Sequence, residues 1–441
     1  MHSDRVARGR LPCLLFVAVA SFHFATAWVG GPAGNWHGQT SEYYALLTDA
    51  FLAGQTSLLV QPSAEMLALP DPYDPVANAR LRLHDASLYH GKYYLYFGPT
   101  PAIVLFLPYK LLTGSHLPTR IAVAWFCNCG FACSCGLFFL LAKREKWDCP
   151  RWLGSAAVLS LGTAPGVAFL LTRPSFYEVA IGAGYCFVMA GFLLTAYSLG
   201  QDSPRTASLV GAGLCFGLAA GCRPNFALLA ILMVVVVAWR IRSHKTQALA
   251  FVGPVVLCGV LLAAYNYARF QNPFEFGIRY TLLANRADLD EHFSHSLGNL
   301  LPSIYVLLFS PARRPPVDST MGLLWGSPIA LLGLLTPCIL RYARVRDHVK
   351  LGATRFTIYC VYASALSILI LMALLGFVLG RYTADFAPEF VLVSWCLLAA
   401  SWQAFQGPPH AGQIPLRIVV VAAALYSAVV EFWICASRVP R

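Results

Sequence analysis

Apolar residues recur along nearly the whole chain in runs of roughly twenty, the length an α-helix needs to cross a hydrocarbon core of about 30 Å. Such runs fall at 11–30, 119–142, 153–172, 179–199, 207–222, 225–239, 247–267, 321–340, 356–379, 388–405 and 416–436. A further apolar stretch, 96–113, decides the topology. If it does not cross, the basic residues of four polar connections collect on one side: Arg5, Arg8 and Arg10; Lys143, Arg144, Lys146 and Arg151; Arg240, Arg242 and Lys245; and Arg341, Arg344, Arg346, Lys350 and Arg355. Only Asp4, Glu145, Asp148 and Asp347 oppose them there. If it does cross, the last three groups land outside, against the rule that Lys and Arg collect in the cytoplasm. Pro99, Pro101 and Pro108 disturb a straight span, and Tyr109 and Lys110 suit an interface. The pattern therefore predicts an all-α polytopic membrane protein with about eleven transmembrane helices and one interfacial or re-entrant segment. Residues 1–441 form a single integrated membrane domain with the N-terminus cytoplasmic and the C-terminus outside.

Composition agrees. Of 441 residues 58% are hydrophobic and 12% charged, whereas a water-soluble domain carries about 25% charged residues. The net charge of +12 does not point to nucleic acid, because the basic residues lie in short runs between apolar segments rather than on one patch. Most of the 14 cysteines sit inside apolar runs, where a thiol acts as a small hydrophobe, and no disulfide framework is implied. In the densest group, Cys127, Cys129, Cys133 and Cys135, only Cys129 and Cys133 share a helix face, so a structural metal is not expected there. Residues 11–29 read as a first span rather than a cleaved signal peptide.

This threading leaves three segments outside: a long acidic loop, 31–94; the stretch 268–320; and the turn 380–389. In the first loop, 41–54 has helical spacing, with Tyr43, Leu46 and Leu47 forming an apolar side that would lie on the membrane. Glu42 and Asp49 share another side, and either carboxylate, or Asp85 further on, could serve as a general base. Ser87–Tyr89 and Tyr93–Tyr96 flank His90-Gly91-Lys92 and read as a small β-hairpin, whose Tyr93 and Tyr94 suit sugar stacking or an aromatic belt. In the second segment Asp288, Asp290 and His292, with Glu291 and His295, are the weak candidates for a divalent metal; a solvated helix face is the plainer reading. Arg173, Arg223, Arg279 and Arg381, the last followed by Tyr382, put four guanidiniums on this side, suited to a lipid-linked phosphate. Snorkelling anchors are the plainer reading of each. Nucleotide-binding loops and serine-hydrolase or metalloprotease motifs are absent.

The order of parts resembles the GT-C superfamily of integral-membrane glycosyltransferases, which includes protein O-mannosyltransferases and lipid A aminoarabinose transferases. The matching pieces are YYALLTDAFLAG (43–54), GPTPAIVLFLPYKLLTG (98–114), Arg120 leading a span that ends in LAKREK, and RYTADFAP (381–388). Where members commonly carry a catalytic acid before the loop-helix tyrosine, this chain reads Gln39-Thr40, and Glu42 is the nearest acid. The resemblance implies transfer of a sugar from a polyprenyl-phosphate donor on the extracytoplasmic side. Arg223 and Arg381 would neutralise the leaving phosphate, Glu42 or Asp85 would act as base, and no cofactor is required. It also implies a bacterial plasma membrane, with lipid bilayer and lipid-linked donor as partners. A transporter or flippase of a lipid-linked or polar substrate, and a non-catalytic assembly protein, are the alternatives.

Overall fold

The computed structural model describes residues 2–30, 42–201, 203–283, 296–311, 321–375, 378–405 and 413–438, with side chains described from residue 11 onward except at 413–415. It is mostly helical. The first helices are α1 (His2–Val29), α2 (Tyr43–Leu52), α3 (Ala64–Leu67) and α4 (Leu107–Thr113), the last entered through a π-helical turn, Ala102–Phe106. Then come α5 (Thr119–Glu145), α6 (Arg151–Gly162), α7 (Val167–Thr172), α8 (Phe176–Leu199), α9 (Thr206–Ala220), α10 (Asn225–Arg240) and α11 (Lys245–Phe270). The C-terminal part holds α12 (Leu297–Phe309), four short helices α13 to α16 (Leu323–Gly326, Ala330–Leu334, Thr336–Arg341, Ala343–Arg346), α17 (Gly352–Leu374), α18 (Ala387–Ala404) and α19 (Gln413–Arg438).

Among the described residues six helices are long and apolar enough to cross a membrane: Leu11–Val29, Thr119–Glu145, Phe176–Leu199, Lys245–Phe270, Gly352–Leu374 and Leu416–Ser437. The other expected spans are shorter or broken. The run 153–172 divides into α6 and α7 around Pro165 and Gly166, and 321–340 divides into short helices around Pro328 and Pro337, because a proline removes a backbone donor and clashes with the preceding turn. The described residues thus hold six long apolar helices and a set of shorter ones where about eleven spans were expected. Helix α12 is an apolar helix that stands within 268–320, a stretch expected to lie outside the membrane. It leaves Leu297, Leu301, Tyr305 and Phe309 exposed at four-residue spacing, one stripe of a helix. By contrast α18 is buried on all sides from Ala387 to Ala400, as a helix at the centre of a bundle must be.

The segment 96–113 can be placed by parity. Helices α1 and α5 are antiparallel neighbours: His23 Nδ1 meets Asn128 Oδ1 at 3.0 Å, and the Arg120 guanidinium lies 4.2 Å over the Trp28 ring. The chain therefore leaves α1 and enters α5 on one face. Between them the π turn and α4 together have twelve residues, about 18 Å of helix, too short for a core of about 30 Å. Asp49 of α2 is ion-paired to Lys110 and lies 3.0 Å from His116, so α4 returns to the first loop. On the opposite face the basic connections gather. Trp147 donates to the His348 carbonyl at 2.7 Å, Glu145 accepts from the Lys350 and Leu351 N–H groups, and Arg240 lies over Phe356.

The two-stranded hairpin forms as β1 (Ser87–Tyr89) and β2 (Lys92–Tyr94), with Leu88 opposite Tyr93. Its two-residue turn has His90 at φ 47° and Gly91 at φ 72°, the paired positive φ of a type I′ turn, which matches the twist of the flanking strands.

Beyond the hairpin the chain is pressed against the tip between α9 and α10. The Thr100 N–H donates to the Gly221 carbonyl at 3.1 Å, and a Cβ on Gly98 would lie 2.0 Å from that oxygen. Likewise a Cβ on Gly166, at φ +92°, would lie 2.5 Å from the Ala384 nitrogen. These two approaches bring the first loop, the α9–α10 tip, the α6–α7 break and the 380–385 turn together. Gly98→Ala is therefore expected to lower stability by about 1–3 kcal/mol, the usual cost of overpacking. Gly253→Ala, where a Cβ meets nothing within 4 Å, is the control. The check is the thermal unfolding midpoint of the detergent-solubilised protein; equal midpoints for the two variants would show that the approach is loose.

Candidate active site

Charged and aromatic side chains from four segments meet at the face where α1 ends. Asp85 comes from the loop ahead of β1. Its N–H donates to the Leu282 carbonyl at 3.1 Å, holding the residue at φ 61°, a left-handed conformation that Asp tolerates better than most residues. The carboxylate is 5% exposed; Oδ2 lies 3.4 Å from His84 Nε2, and Oδ1 is buried with no hydrogen-bond partner among the described residues. Burial pushes its pKa up to about 7, with Arg381 and then Arg82 pulling the other way. Arg82 is fixed behind it, donating to Asn78 Oδ1 at 2.8 Å and the Pro75 carbonyl at 3.0 Å.

The α9–α10 tip contributes Arg223, which forms an ion pair with Asp385 of the late turn. Asn225 Nδ2 donates to the same carboxylate at 3.3 Å, and the Arg223 guanidinium sits 5.5 Å over the Tyr382 ring. On the same turn as Asp385, Arg381 lies 4.2 Å over Tyr177 and meets Glu178 at 4.0 Å. Glu178 is itself held at the start of α8, where the Ser175 N–H and hydroxyl both donate to Oε2. Tyr96 lies between the two halves: after burial, the charges acting on its phenol are Asp85, Arg381 and Arg223, and the net effect raises its pKa. The carbonyl just before it is pinned by Arg269, whose Nη1 donates to Leu95 at 2.5 Å.

Three buried acceptor oxygens in this cluster, Asp85 Oδ1, Asn225 Oδ1 and Asp385 Oδ1, have no hydrogen-bond partner among the described residues. Buried polar atoms are almost always bonded. A cluster of three exceptions beside two guanidiniums is suited to a ligand that brings hydroxyl donors together with an anionic group.

The other carboxylates named from sequence make contacts of their own. Glu42 accepts from the Thr119 N–H at 3.2 Å and from its hydroxyl at 2.5 Å, which satisfies the first turn of α5. Asp49 is the clasp between α2 and α4. Burial acts to raise its pKa, but the hydrogen bonds from Lys110 and His116 outweigh it and the net shift is downward. Helix α2 does not lie on the membrane by Tyr43, Leu46 and Leu47, since Tyr43, Tyr44 and Leu47 are buried in protein, with the Tyr43 ring 4.4 Å from Phe176.

Tyr93 and Tyr94 are buried at 2% and 7% exposure, with Tyr94 against Phe270, so their faces serve packing. Arg279 is outside the cluster, pairing with Glu275 at 3.7 Å while its side chain is 82% exposed. Arg173 ends α7, two residues ahead of the Ser175–Glu178 contact. Asp288, Asp290, Glu291, His292 and His295 lie outside the described residues. Among the described residues no group of three or more His, Cys, Asp or Glu could hold a metal ion.

Four site residues were missed from sequence. Glu178 carried a readable signal, the Ser-x-x-Glu spacing ahead of an apolar run. Tyr96, Arg82 and Asn225 carried none that separates them from their neighbours.

No protein-family model matches the chain, and no curated protein sequence is detectably similar to it. Among solved structures it is similar to the Archaeoglobus fulgidus oligosaccharyltransferase in the apo form, with a TM-score of 0.50 and 14% identity over 96% of this chain and 56% of that one. ArnT from Cupriavidus metallidurans in the apo state gives 0.48 at 14% identity, covering 98% of this chain and 77% of that one. The mycobacterial arabinofuranosyltransferase AftD gives 0.47 at 14% identity, covering 97% and 28%. The chain thus spans little more than half the length of the oligosaccharyltransferase. At this identity the likeness concerns the fold alone, and the fold is GT-C-like.

Proposed function

We propose that this chain is a membrane glycosyltransferase that moves a sugar from a polyprenyl-phosphate donor to an acceptor hydroxyl at the extracytoplasmic face of a bacterial plasma membrane. The observation that carries this reading is Asp85, its Oδ1 without a partner among the described residues, lying within the field of Arg381, with Arg381 and Arg223 both acting on the neighbouring Tyr96. The GT-C-like fold and the order of sequence parts support the class. Apolar Ile103, Leu111 and Leu112, exposed along the interfacial segment that leads away from Tyr96, offer a surface for a prenyl chain.

The chemistry follows from the charges. Asp85 accepts the proton of the acceptor hydroxyl as its oxygen attacks the anomeric carbon. The bond from that carbon to the phosphate oxygen breaks, its electron pair stays on the phosphate, and Arg381 and Arg223 stabilise the charge that develops there. Asn225 and Asp385 have acceptor oxygens for sugar hydroxyls.

The test uses purified protein, a panel of short-chain polyprenyl-phosphate sugars, and membrane extract as the source of acceptor. Release of polyprenyl phosphate is expected, and Asp85→Asn should lower it by about 10²–10⁴-fold, the contribution of a positioned base. Glu42→Gln should act through stability rather than turnover. Undiminished release by Asp85→Asn would remove Asp85 from the mechanism.

The pH profile gives a second readout. A base must be deprotonated to act, so kcat/KM should rise with pH through an apparent pKa of about 7. Because Arg381 is the larger of the two charges pulling that pKa down, Arg381→Gln should move the rising limb to higher pH. A limb that stays in place would show that another group titrates.

A further inference from the structure

We propose that a recess between α10 and α17, on the face opposite the candidate active site, binds the headgroup of an anionic phospholipid from the adjoining leaflet. The recess has a volume of about 420 Å³, and Arg240, Arg242, Arg355, Trp239, Phe356 and Tyr359 line it. Its three guanidiniums are held by contacts that leave their charge uncompensated. Arg240 lies 6.0 Å over the Phe356 ring. Arg242 lies 5.0 Å over Trp239 and donates to the Trp239 carbonyl at 3.2 Å. Arg355 donates to the Val349 carbonyl at 2.8 Å, while its Nε is buried with no hydrogen-bond partner among the described residues.

No carboxylate among the described residues forms an ion pair with any of the three. Two acids on this face are engaged elsewhere: Asp347 with Arg346 at 3.6 Å, and Glu145 with the Lys350 and Leu351 N–H groups. Ordinary inward-facing Lys and Arg at span ends can splay apart into water. Here aromatic rings and backbone carbonyls hold three cations around one recess, and their mutual repulsion is relieved by an anion placed between them. Guanidinium forks match phosphate oxygens in geometry as well as charge.

The apolar surroundings point to a lipid rather than a free anion. Ile231, Val235 and Trp239 recur at four-residue spacing along α10, are 62%, 61% and 64% exposed, and end at the recess. A headgroup among the arginines would place its acyl chain along this stripe.

The experiment compares retention of phosphatidylglycerol and phosphatidylcholine by the purified full-length protein, read by native mass spectrometry. Phosphatidylglycerol should be preferred, and Arg240→Gln with Arg355→Gln should weaken it by about 25-fold, since each basic residue contributes about fivefold at an anionic surface. The double variant Arg341→Gln with Arg344→Gln removes the same charge from the same face outside the recess and should leave retention unchanged. If the first double variant does not fold, Arg242→Gln gives the same comparison with a smaller loss. Equal weakening in recess and control variants would overturn the proposal in favour of diffuse surface charge. Displacement of the lipid by inorganic phosphate, or retention of both lipids alike, would also overturn it.

Discussion

A guanidinium carried at the tip of two short apolar helices has to find a carboxylate or water, because leaving it against hydrocarbon costs several kcal/mol. Arg223 finds Asp385, whose side chain has no exposure. The partners are 162 positions apart in the chain, so this ion pair fixes the α9–α10 tip against the late turn. The rest of the cluster follows from it. Arg381 and Tyr382 are carried beside Asp385 on the same turn, and Gly166 admits that turn to the α6–α7 break. Gly98 admits the first loop to the tip, which brings Tyr96 and Asp85 into the same electric field. A buried pair adds little net stability after desolvation, but losing one partner strands the other, so it acts chiefly as a device of registration.

Glu42, Asp49 and Asp85 of the first loop illustrate how the same group takes different roles from its surroundings. Glu42 meets donors at the start of a helix, and Asp49 meets a lysine and a histidine; both have hydrogen-bond donors in structural positions. Asp85 meets burial first and its two arginines only at longer range, so its proton affinity rises toward neutrality. Such a carboxyl is a poor clasp and a good proton acceptor. The basic face shows the complementary case, three cations gathered without an ion-paired acid among the described residues.

What the chain determined by itself is what depends on local order. Apolar runs separated by short basic turns set the membrane class, because hydrocarbon requires every backbone group to be bonded within its own helix. The charge bias of the turns separated the two faces, three prolines kept 96–113 from being read as a span, and His90-Gly91 marked the hairpin. The helix count was less legible. Pro165, Pro328 and Pro337 break apolar runs that hydropathy alone reads as continuous, and α12 is apolar but only 13 residues long.

The site depended on tertiary structure for its membership. Sequence pointed to Asp85, Arg223, Arg381 and Tyr382 as types and to their shared face; the fold sets Arg223 against the turn that carries Arg381 and Tyr382, and puts Asp85 within the field of Arg381. It also named Glu42, Asp49, Arg279, Tyr93 and Tyr94, which are residues of the same types on the same face. Only packing separates the two groups. Whether a carboxylate is capped, clasped or left with an open oxygen depends on atoms contributed from distant positions. Desolvation is likewise a property of the assembled fold and not of any local stretch. Local order thus chose the solvent and the face, while the buried contacts between distant segments decided which charges meet.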